Sequence, residues 1–283
     1  MALKGIDVSY HNGSIDWKKV KAAGIDFAIL RAGYGRVVDK KFATYIKAAQ
    51  KAGMPVGIYW FCYALNHDQA IKEADFCAST LKAYKIDLPV FYDFEYDTER
   101  YAGEHGVKYD KASRTDIIKT FCERIKEHGY VPGVYVNFDY INYKVQWSEL
   151  MDYKYWLAHW STKNGVVASF DAISSTSVIT NRGEPMLWQF GAVKVSGISG
   201  VVDANHGYFE LPAAKGIKVG DTVRVLNTKT AANGKIIGKT YTGGNFTLWY
   251  KQYEVIQLSG KRAVIGINGV VTAAVHADNL EKV

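Results

Sequence analysis

The amino-acid sequence predicts an α/β protein, built as an irregular barrel followed by a small all-β domain. Short apolar runs alternate with amphipathic segments up to about residue 137, which is typical of a parallel sheet with helices outside it. Beyond residue 138 the apolar runs continue, but the helical segments between them disappear. Five βα units followed by bare strands favour an irregular barrel, with a doubly wound open sheet as the alternative.

The first part of the chain supplies the βα units in order. Its apolar runs predict strands at 5–10, 27–33, 55–63, 89–95 and 131–137. The amphipathic segments between them predict helices near 17–23, 40–52, 69–84 and 114–128. Three of these helices run into Gly24, Gly53 and Gly129, where a helix end favours a left-handed residue.

The later strands are predicted at 155–160, 178–180, 186–190 and 200–204. A shift in composition then marks a linker at 211–217, which divides the chain into domains at 1–210 and 218–283. In the second domain the predicted strands are 221–226, 235–241, 246–258, 262–267 and 270–275. The Asn268-Gly269 pair between the last two is a strong hairpin signal.

The positive charge of the chain is concentrated in its C-terminal part. Residues 213–283 contain ten Lys and Arg against four Asp and Glu, whereas the rest of the chain has 25 against 24. Such a basic domain suits an anionic partner, such as a wall polymer, a membrane surface or a nucleic acid. The alternative is a basic domain whose charge serves only solubility.

The cysteines and the N-terminus bear on the compartment. Cys62, Cys77 and Cys122 are odd in number and form no Cys-x-x-Cys pair, so we predict reduced core residues, with a Cys62–Cys77 disulfide as the alternative. No stretch approaches the roughly 18 apolar residues of a membrane span. The first residues lack the features of a signal peptide, which predicts synthesis in the cytoplasm.

Two carboxylates at the end of one apolar strand are the most informative feature. Asp93 and Glu95 are two residues apart, so in a strand they point to the same side. Neighbouring acids separate their pKa values, so that one stays protonated while the other is ionised. Glycoside hydrolysis needs such a pair. The alternative is a solvated strand end in which Asp93 caps the next helix.

Two further apolar runs contain an acid, Asp7 in the first strand and Asp203 in the last. A lone buried Asp is costly, so acids on three strands indicate a carboxylate cluster. An oxygen-only magnesium or calcium site is the rival explanation. The seven histidines show no zinc-ligand spacing, and no phosphate-binding glycine motif is present, so we expect no metal and no cofactor.

At this point the chain resembles glycoside hydrolase family 25, a family of muramidases. The resemblance rests on ordered motifs across residues 5–205: GIDVSYHNGSIDW from residue 5, FAILRAGYG from 27, GIYWF from 57, DFE from 93, YWLA from 155, LWQF from 187 and GISGVVDAN from 197. It implies a TIM-like (β/α)5(β)3 barrel that cleaves the β-1,4 bond between N-acetylmuramic acid and N-acetylglucosamine. The departures are Tyr10-His11-Asn12 and Trp160, where many relatives have other residues.

The resemblance also implies roles for the acids, with Glu95 as general acid, Asp93 as its charged neighbour, and Asp7 and Asp203 as the other acids of the cleft. Glu95 is expected to have a raised pKa, caused by the charge of Asp93 and by aromatic surroundings. The 2-acetamido group of the substrate is the favoured nucleophile, with direct attack by water as the alternative. The sequence leaves retention and inversion of configuration open.

Polar and aromatic residues at predicted strand ends are candidates for contacts with the sugars, and core or rim packing is the alternative for each of them. The predicted substrate-binding residues are Tyr34, Tyr63, Tyr135, Asn137, Trp160, Trp188 and Gln189.

The C-terminal domain resembles the SH3-like wall-binding modules of phage endolysins. Trp249, Tyr250 and Tyr253 are predicted to form its ligand groove, again with packing as the alternative. Together these features predict a phage-type peptidoglycan hydrolase that acts on a Gram-positive wall after release. Its expected partners are peptidoglycan and anionic wall polymers, without nucleic acid or membrane insertion, and self-association through the C-terminal domain stays open. The rival functions are a non-catalytic glycan-binding protein and a chitin-directed hydrolase.

Overall fold

The computed structural model describes residues 2–160, 162, 165–175, 184–211, 217–226 and 228–283. The chain divides into two compact units, Met1–Phe209 and Glu210–Val283. The predicted strand at 178–180 lies outside the described residues, as does all of the predicted linker except its two end residues.

The first unit is a mixed α/β fold around a barrel-like sheet of eight strands. The strands β1, β2 and β4–β9 close into a ring in the order β1-β2-β4-β5-β6-β7-β8-β9, and β9 returns to β1. All neighbours in the ring are parallel except β9, which runs antiparallel to both β8 and β1. The short strand β3 only extends β2 as a hairpin. The bounds are β1 Leu3–Val8, β2 Phe27–Tyr34, β3 Val37–Val38, β4 Val56–Phe61, β5 Val90–Asp93, β6 Pro132–Asn137, β7 Lys154–Ala158, β8 Leu187–Val193 and β9 Val202–Gly207.

Five α-helices lie before β6 in this unit: α1 Trp17–Ala22, α2 Phe42–Lys51, α3 His67–Leu81, α4 Tyr96–Glu104 and α5 Lys111–Glu127. Side chains of Asp16, Asn66 and Asp110 accept a backbone N–H in the first turns of α1, α3 and α5, which satisfies donors that have no partner within the helix. After β6 the described residues of this unit contain only short π-helical or 3-10 turns, at Tyr140–Lys144, Trp147–Glu149 and Phe170–Ala172. The loss of helices after residue 138 is therefore confirmed.

Helix α4 was not predicted from the sequence. Only Thr98 and Ala102 of this helix are buried, so the apolar stripe that reveals an amphipathic helix is almost absent. The helix nevertheless begins directly after the two carboxylates of β5, and this position makes it important for the site.

The core of the first unit contains all three cysteines. Cys62, Cys77 and Cys122 are buried and free, which confirms the prediction of reduced core residues. Around them, the helices pack large rings against the ring of strands, as in the stacked pair of Tyr92 and Phe121, whose centroids lie 3.8 Å apart.

The second unit is all-β. A five-stranded sheet has the order β16-β15-β14-β10-β17, and a three-stranded sheet has the order β11-β12-β13. The bounds are β10 Thr222–Val225, β11 Lys229–Thr230, β12 Ile236–Lys239, β13 Asn245–Leu248, β14 Tyr253–Ser259, β15 Arg262–Ile267, β16 Val270–His276 and β17 Leu280–Lys282.

Two turns of this unit separate strands that are neighbours in the sequence. Asn268 adopts a left-handed φ of 50° and Gly269 one of 77°, which confirms the predicted tight turn between β15 and β16. The single strand predicted at 246–258 is wrong, because residues 249–252 leave the ladder and separate β13 from β14. Across both units, no helix of the described residues is long and apolar enough to cross a membrane.

Candidate active site

A cleft of about 700 Å³ opens where the carboxyl ends of the parallel strands meet. Because β9 runs in the opposite direction, it reaches this end with its first residues and so delivers Asp203 to the cleft. The lining residues come from most strands of the ring and from the segments that follow them: Asp7, Ser9, Tyr10, His11, Arg31, Tyr34, Tyr59, Phe61, Tyr63, Asp93, Glu95, Asp97, Tyr135, Trp156, Trp160, Gln189 and Asp203.

All four predicted acids lie in this cleft. Asp93 is the last residue of β5, and Glu95 lies two residues further on, at the start of α4. Asp7 of β1 is paired in register with Asp203 of β9. The strand order therefore brings together acids that are nearly 200 residues apart in the chain.

Glu95 is held by the beginning of α4. Its backbone N–H donates to Thr98 Oγ1 at 3.3 Å, and the Thr98 hydroxyl donates to the Cys62 carbonyl at 3.0 Å. Burial, followed by the charge of Asp97, raises the pKa of Glu95 to about 7. The direction of this shift agrees with the sequence prediction. Glu95 and Asp93 repel each other, and Asp97 is a further charged neighbour that raises the pKa of Glu95.

Asp93 is buried at the base of the cleft. Among the described residues its Oδ1 has no hydrogen-bond partner. Burial, with the charges of Glu95 and Asp7, holds the pKa of Asp93 well above its usual range, and the Arg31 guanidinium opposes the shift. A buried acceptor without a donor is costly, which makes Asp93 a candidate for a contact with bound substrate.

A chain of amide hydrogen bonds fixes Asp7. Asn205 Nδ2 and Gln189 Nε2 both donate to Asp7 Oδ2, at 2.8 and 3.0 Å. Trp156 Nε1 in turn donates to Asn205 Oδ1 at 2.8 Å. Burial, together with the charge of Asp203, raises the pKa of Asp7 to about 8, although these two amides oppose the shift. Burial raises the pKa of Asp203 to about 6.

Gln189 joins the acids to the aromatic walls of the cleft. Its Oε1 accepts from the Tyr135 hydroxyl and from Trp160 Nε1, both at 3.0 Å. Trp160 is 46% exposed, so its ring lines the rim while its N–H is anchored inside. Gly165 allows this placement, because a Cβ at that position would collide with the Trp160 ring.

Arg31 is a functional candidate that the sequence analysis missed. Its Nε donates to Asp39 Oδ2 at 2.9 Å, and its guanidinium carbon lies 5.0 and 5.4 Å from the ring centroids of Tyr10 and Tyr34. Its Nη2 is buried without a hydrogen-bond partner among the described residues. The only signal in the sequence was an arginine inside an apolar strand, which is costly unless its charge is paired.

The other predicted substrate-binding residues divide into two groups. Tyr34, Tyr63, Tyr135, Trp160 and Gln189 line the cleft. Trp188 and Asn137 are not among its lining residues. The cleft is also lined by residues that were not predicted as substrate-binding, including Tyr10, Asp97 and Trp156.

The prediction for Trp188 is wrong because of strand alternation. Gln189 points into the ring, so its neighbour Trp188 points outward. Trp188 is 1% exposed, and its Nε1 donates to the His159 carbonyl at 2.7 Å. Asn137 does not line the cleft and has a local role instead, since its Oδ1 accepts from the Tyr140 backbone N–H at 2.9 Å.

The predicted aromatic groove of the second unit is also corrected. Trp249 and Tyr250 are 68% and 56% exposed, but Tyr253 is 1% exposed and belongs to the core. The Tyr253 hydroxyl accepts the backbone N–H groups of Trp249 and Tyr250 at 3.0 and 3.2 Å. Tyr253 therefore holds the backbone that carries the two exposed rings instead of forming a surface with them.

The described residues contain no group of three or more His, Cys, Asp or Glu side chains arranged to hold a metal ion. The chemistry available in the cleft is that of carboxyl groups with raised pKa values beside aromatic rings. A closed ring of strands that carries such paired acids in an open cleft defines a glycoside hydrolase.

The family of this glycoside hydrolase follows from sequence comparison. Residues 6–200 match the model of glycosyl hydrolases family 25. The chain belongs to this family, which confirms the predicted family and the predicted class of enzyme.

Relatives and solved structures agree with the family. Lysozyme M1 of Streptomyces globisporus is 28% identical over 211 residues, which cover 72% of this chain and 67% of that protein. The autolysin LytC of Streptococcus pneumoniae, solved in complex with a synthetic peptidoglycan ligand, is 28% identical with a TM-score of 0.61. That match covers 73% of this chain but only 47% of LytC, so the chain spans about half of that relative.

One structural neighbour extends over both units. The spore cortex lytic enzyme SleM of Clostridium perfringens matches 99% of this chain and 86% of its own, with a TM-score of 0.60. At 18% identity this match shows a likeness of fold.

Proposed function

We propose that this chain is a peptidoglycan hydrolase with lysozyme activity, cleaving the β-1,4 bond between N-acetylmuramic acid and N-acetylglucosamine. The observation that carries the proposal is Glu95, a carboxyl group with a pKa raised to about 7, beside Asp93 in the cleft of a family-25 fold. The lysozyme relative and the peptidoglycan complex of LytC support the substrate.

Glu95 acts as the general acid. A carboxyl group with a pKa near 7 is still partly protonated in neutral solution, and it gives its proton to the glycosidic oxygen as the C1–O bond breaks. Thr98 holds the backbone of Glu95 at the start of α4. After the leaving sugar departs, the ionised Glu95 accepts a proton from the incoming water.

Asp93 stabilises the positive charge that develops on the sugar. In the substrate-assisted route the acetamido oxygen attacks C1, and the acetamido N–H becomes a stronger donor as the ring forms. The unpartnered Oδ1 of Asp93 suits that N–H, which favours this route over direct attack by water. The positive charge that develops during reaction lowers the raised pKa of Asp93 and favours its ionised form. Because this charge is absent from the ground state, the interaction stabilises the transition state more than the ground state.

Asp7 and Asp203 complete the acid cluster, and the aromatic walls bind the glycan. Tyr34, Tyr63 and Trp160 present rings to the sugar faces, while Tyr135 and Gln189 supply hydrogen-bonding groups. In finer detail, the first unit is proposed to be a TIM-like (β/α)5(β)3 barrel at 1–210, joined by the linker 211–217 to an SH3-like domain at 218–283.

The SH3-like domain is proposed to bind the cell wall through Trp249 and Tyr250. Two large rings that are exposed on a hydrogen-bonded backbone lose little conformational entropy when they bind. This domain would keep the enzyme on peptidoglycan and anionic wall polymers. We also predict that the protein is a phage endolysin that lyses a Gram-positive host and is released to the wall. Self-association of the second domain stays a prediction.

Wall digestion by the wild type and by Glu95→Gln tests the hydrolase. New reducing ends and new free amines are measured separately, and Glu104→Gln is the matched control, since Glu104 is an exposed acid of the same helix. We expect reducing ends from the wild type and the control, and a loss of at least about 100-fold in Glu95→Gln. New amines without reducing ends would contradict a glycosidase.

The two rivals give different results in the same assay. A chitin-directed hydrolase would release reducing ends from chitin oligosaccharides at least as fast as from wall, and a non-catalytic glycan-binding protein would release none from either. The acid cluster disfavours the second rival, because the buried carboxyl groups of Asp7 and Asp93 are costly in a protein that only binds.

A further inference from the structure

One stretch of the second unit is basic and contains no acidic residue. Residues 210–283 contain ten Lys and Arg against five Asp and Glu, yet residues 222–253 contain five cations and no acidic residue at all. Three of the five acids pair with cations from outside that segment or at its start: Asp221 with Lys282, Asp278 with Lys261, and Glu281 with Arg224. Three of the five cations in residues 222–253, namely Lys229, Lys235 and Lys239, lie in or next to the β11-β12-β13 sheet.

The register of this sheet places its lysines on one face. Gly238 pairs with Phe246, and Phe246 and Leu248 pack on the core, so these positions define the inner face. Lys229 pairs with Ile237, which alternates with Gly238 and so points outward. Lys235 and Lys239 lie two residues on either side of Ile237 and share its face. All three lysines are exposed.

Trp249 extends the same face. It follows the inward residue Leu248, and the Lys235 ammonium lies 5.3 Å from its ring centroid. The buried Tyr253 hydroxyl holds the backbone of Trp249 and Tyr250 at the end of β13. We call the surface formed by Lys229, Lys235, Lys239 and Trp249 the basic face.

We propose that the basic face binds a phosphodiester-linked polyanion of the bacterial wall, rather than the glycan or its peptides. Lys235 directly precedes β12 and Lys239 is its last residue. Four residues of extended chain separate them by about 13 Å, which favours a chain with repeated charges over one small anion. The absence of any acid from this stretch of sequence leaves nothing to repel such a chain. This inference rests on the proposed wall-directed function and names the partner of its second domain.

Retention of the full chain on isolated Gram-positive walls tests the proposal. Glu95→Gln is used as the background so that the walls stay intact, and the walls are compared before and after phosphodiester polymers are removed with hydrogen fluoride. We expect the triple change Lys229→Gln, Lys235→Gln and Lys239→Gln to weaken retention on untreated walls about tenfold at low salt. On stripped walls the triple change has no effect.

The matched control changes three exposed lysines of the other unit, Lys18→Gln, Lys47→Gln and Lys108→Gln, and so removes the same net charge. We expect this control to keep wild-type retention, and Lys235→Arg to keep it as well. Equal retention of the wild type on stripped and untreated walls would overturn the proposal, as would equal losses in both triple variants.

The same preparations separate this proposal from the proposed hydrolase. With Glu95 intact, the basic-face triple variant should release reducing ends from stripped walls at the wild-type rate, which also shows that it is folded. Failure of the wild type to release reducing ends there would contradict the hydrolase. Equal binding to stripped and untreated walls contradicts only the polyanion.

Discussion

The two units contain the same kinds of residue but treat them in opposite ways. In the first unit Asp7 is buried and its pKa is raised to about 8, whereas in the second Asp221 has a lowered pKa through hydrogen bonding to Lys282. Trp188 is buried in the first unit, whereas Trp249 is exposed in the second. Burial, rather than residue type, decides whether a carboxyl group is prepared for proton transfer and whether a ring is available to a ligand.

The largest effect is expected from removing the charge of Asp93. We predict that Asp93→Asn lowers kcat by about 100-fold or more, because the buried carboxylate no longer stabilises positive charge in the transition state. The melting temperature of the first unit should stay the same or rise, since a buried carboxyl group with a partnerless oxygen is lost. A variant that lost activity and stability together would make Asp93 a structural residue.

The two tryptophans give the next largest effect. We predict that Trp188→Ala lowers the free energy of unfolding of the first unit by about 3–5 kcal/mol, because it leaves a cavity in the core. Trp249→Ala should change the free energy of unfolding of the second unit by less than about 0.5 kcal/mol while weakening wall binding. Denaturant unfolding of both variants checks this, and similar losses in the two would erase the contrast between the units.

The acids of the two units should also respond to pH in opposite directions. The folded pKa of Asp7, about 8, exceeds its unfolded value of 3.8, so its stabilising contribution is complete below pH 4 and is lost as the pH rises towards 8. Asp7→Asn should reduce the fall in stability across that range by at most about 1.4 kcal/mol per pH unit. Asp221, with a lowered pKa, contributes above pH 4 and loses its contribution as the pH falls.

Melting of Asp7→Asn and Asp221→Asn between pH 3 and pH 8 measures both responses. The expected changes lie on opposite sides of pH 4, in different units. If Asp7→Asn left the pH dependence of the first unit unchanged, the pKa of Asp7 would not be raised in the folded protein.

The smallest effect is expected from the hydrogen bonds between Tyr253 and the backbone of Trp249 and Tyr250. Tyr253→Phe removes the hydroxyl that accepts two backbone N–H groups, so we predict a loss of about 1–2 kcal/mol in the second unit. Wall binding should weaken as well, because the backbone that carries the rings of Trp249 and Tyr250 loses these two hydrogen bonds. A Tyr253→Phe variant with reduced stability but unchanged wall binding would show that rigidity of the rings is unimportant.

The features that were predicted correctly from the sequence are those that depend on a local pattern of apolar and charged residues. The four cleft acids were found because each lies in an apolar run, where an unpaired charge demands an explanation. Trp188 and Tyr253 were misplaced because an aromatic ring fits a core and a ligand groove equally well, and only the strand register decides between them. Helix α4 was missed because it buries little apolar surface, and Arg31 because its two tyrosine neighbours lie three and 21 residues away.

The distribution of cysteines allows the two units to be followed separately. All three thiols are buried in the first unit, and residues 210–283 contain none. Burial also raises the pKa of Cys62 well above its usual range, so the thiol stays protonated and unreactive while it is enclosed. A thiol-labelling reagent therefore reacts only when the first unit opens, and the rate of labelling reports the opening of that unit without any added probe.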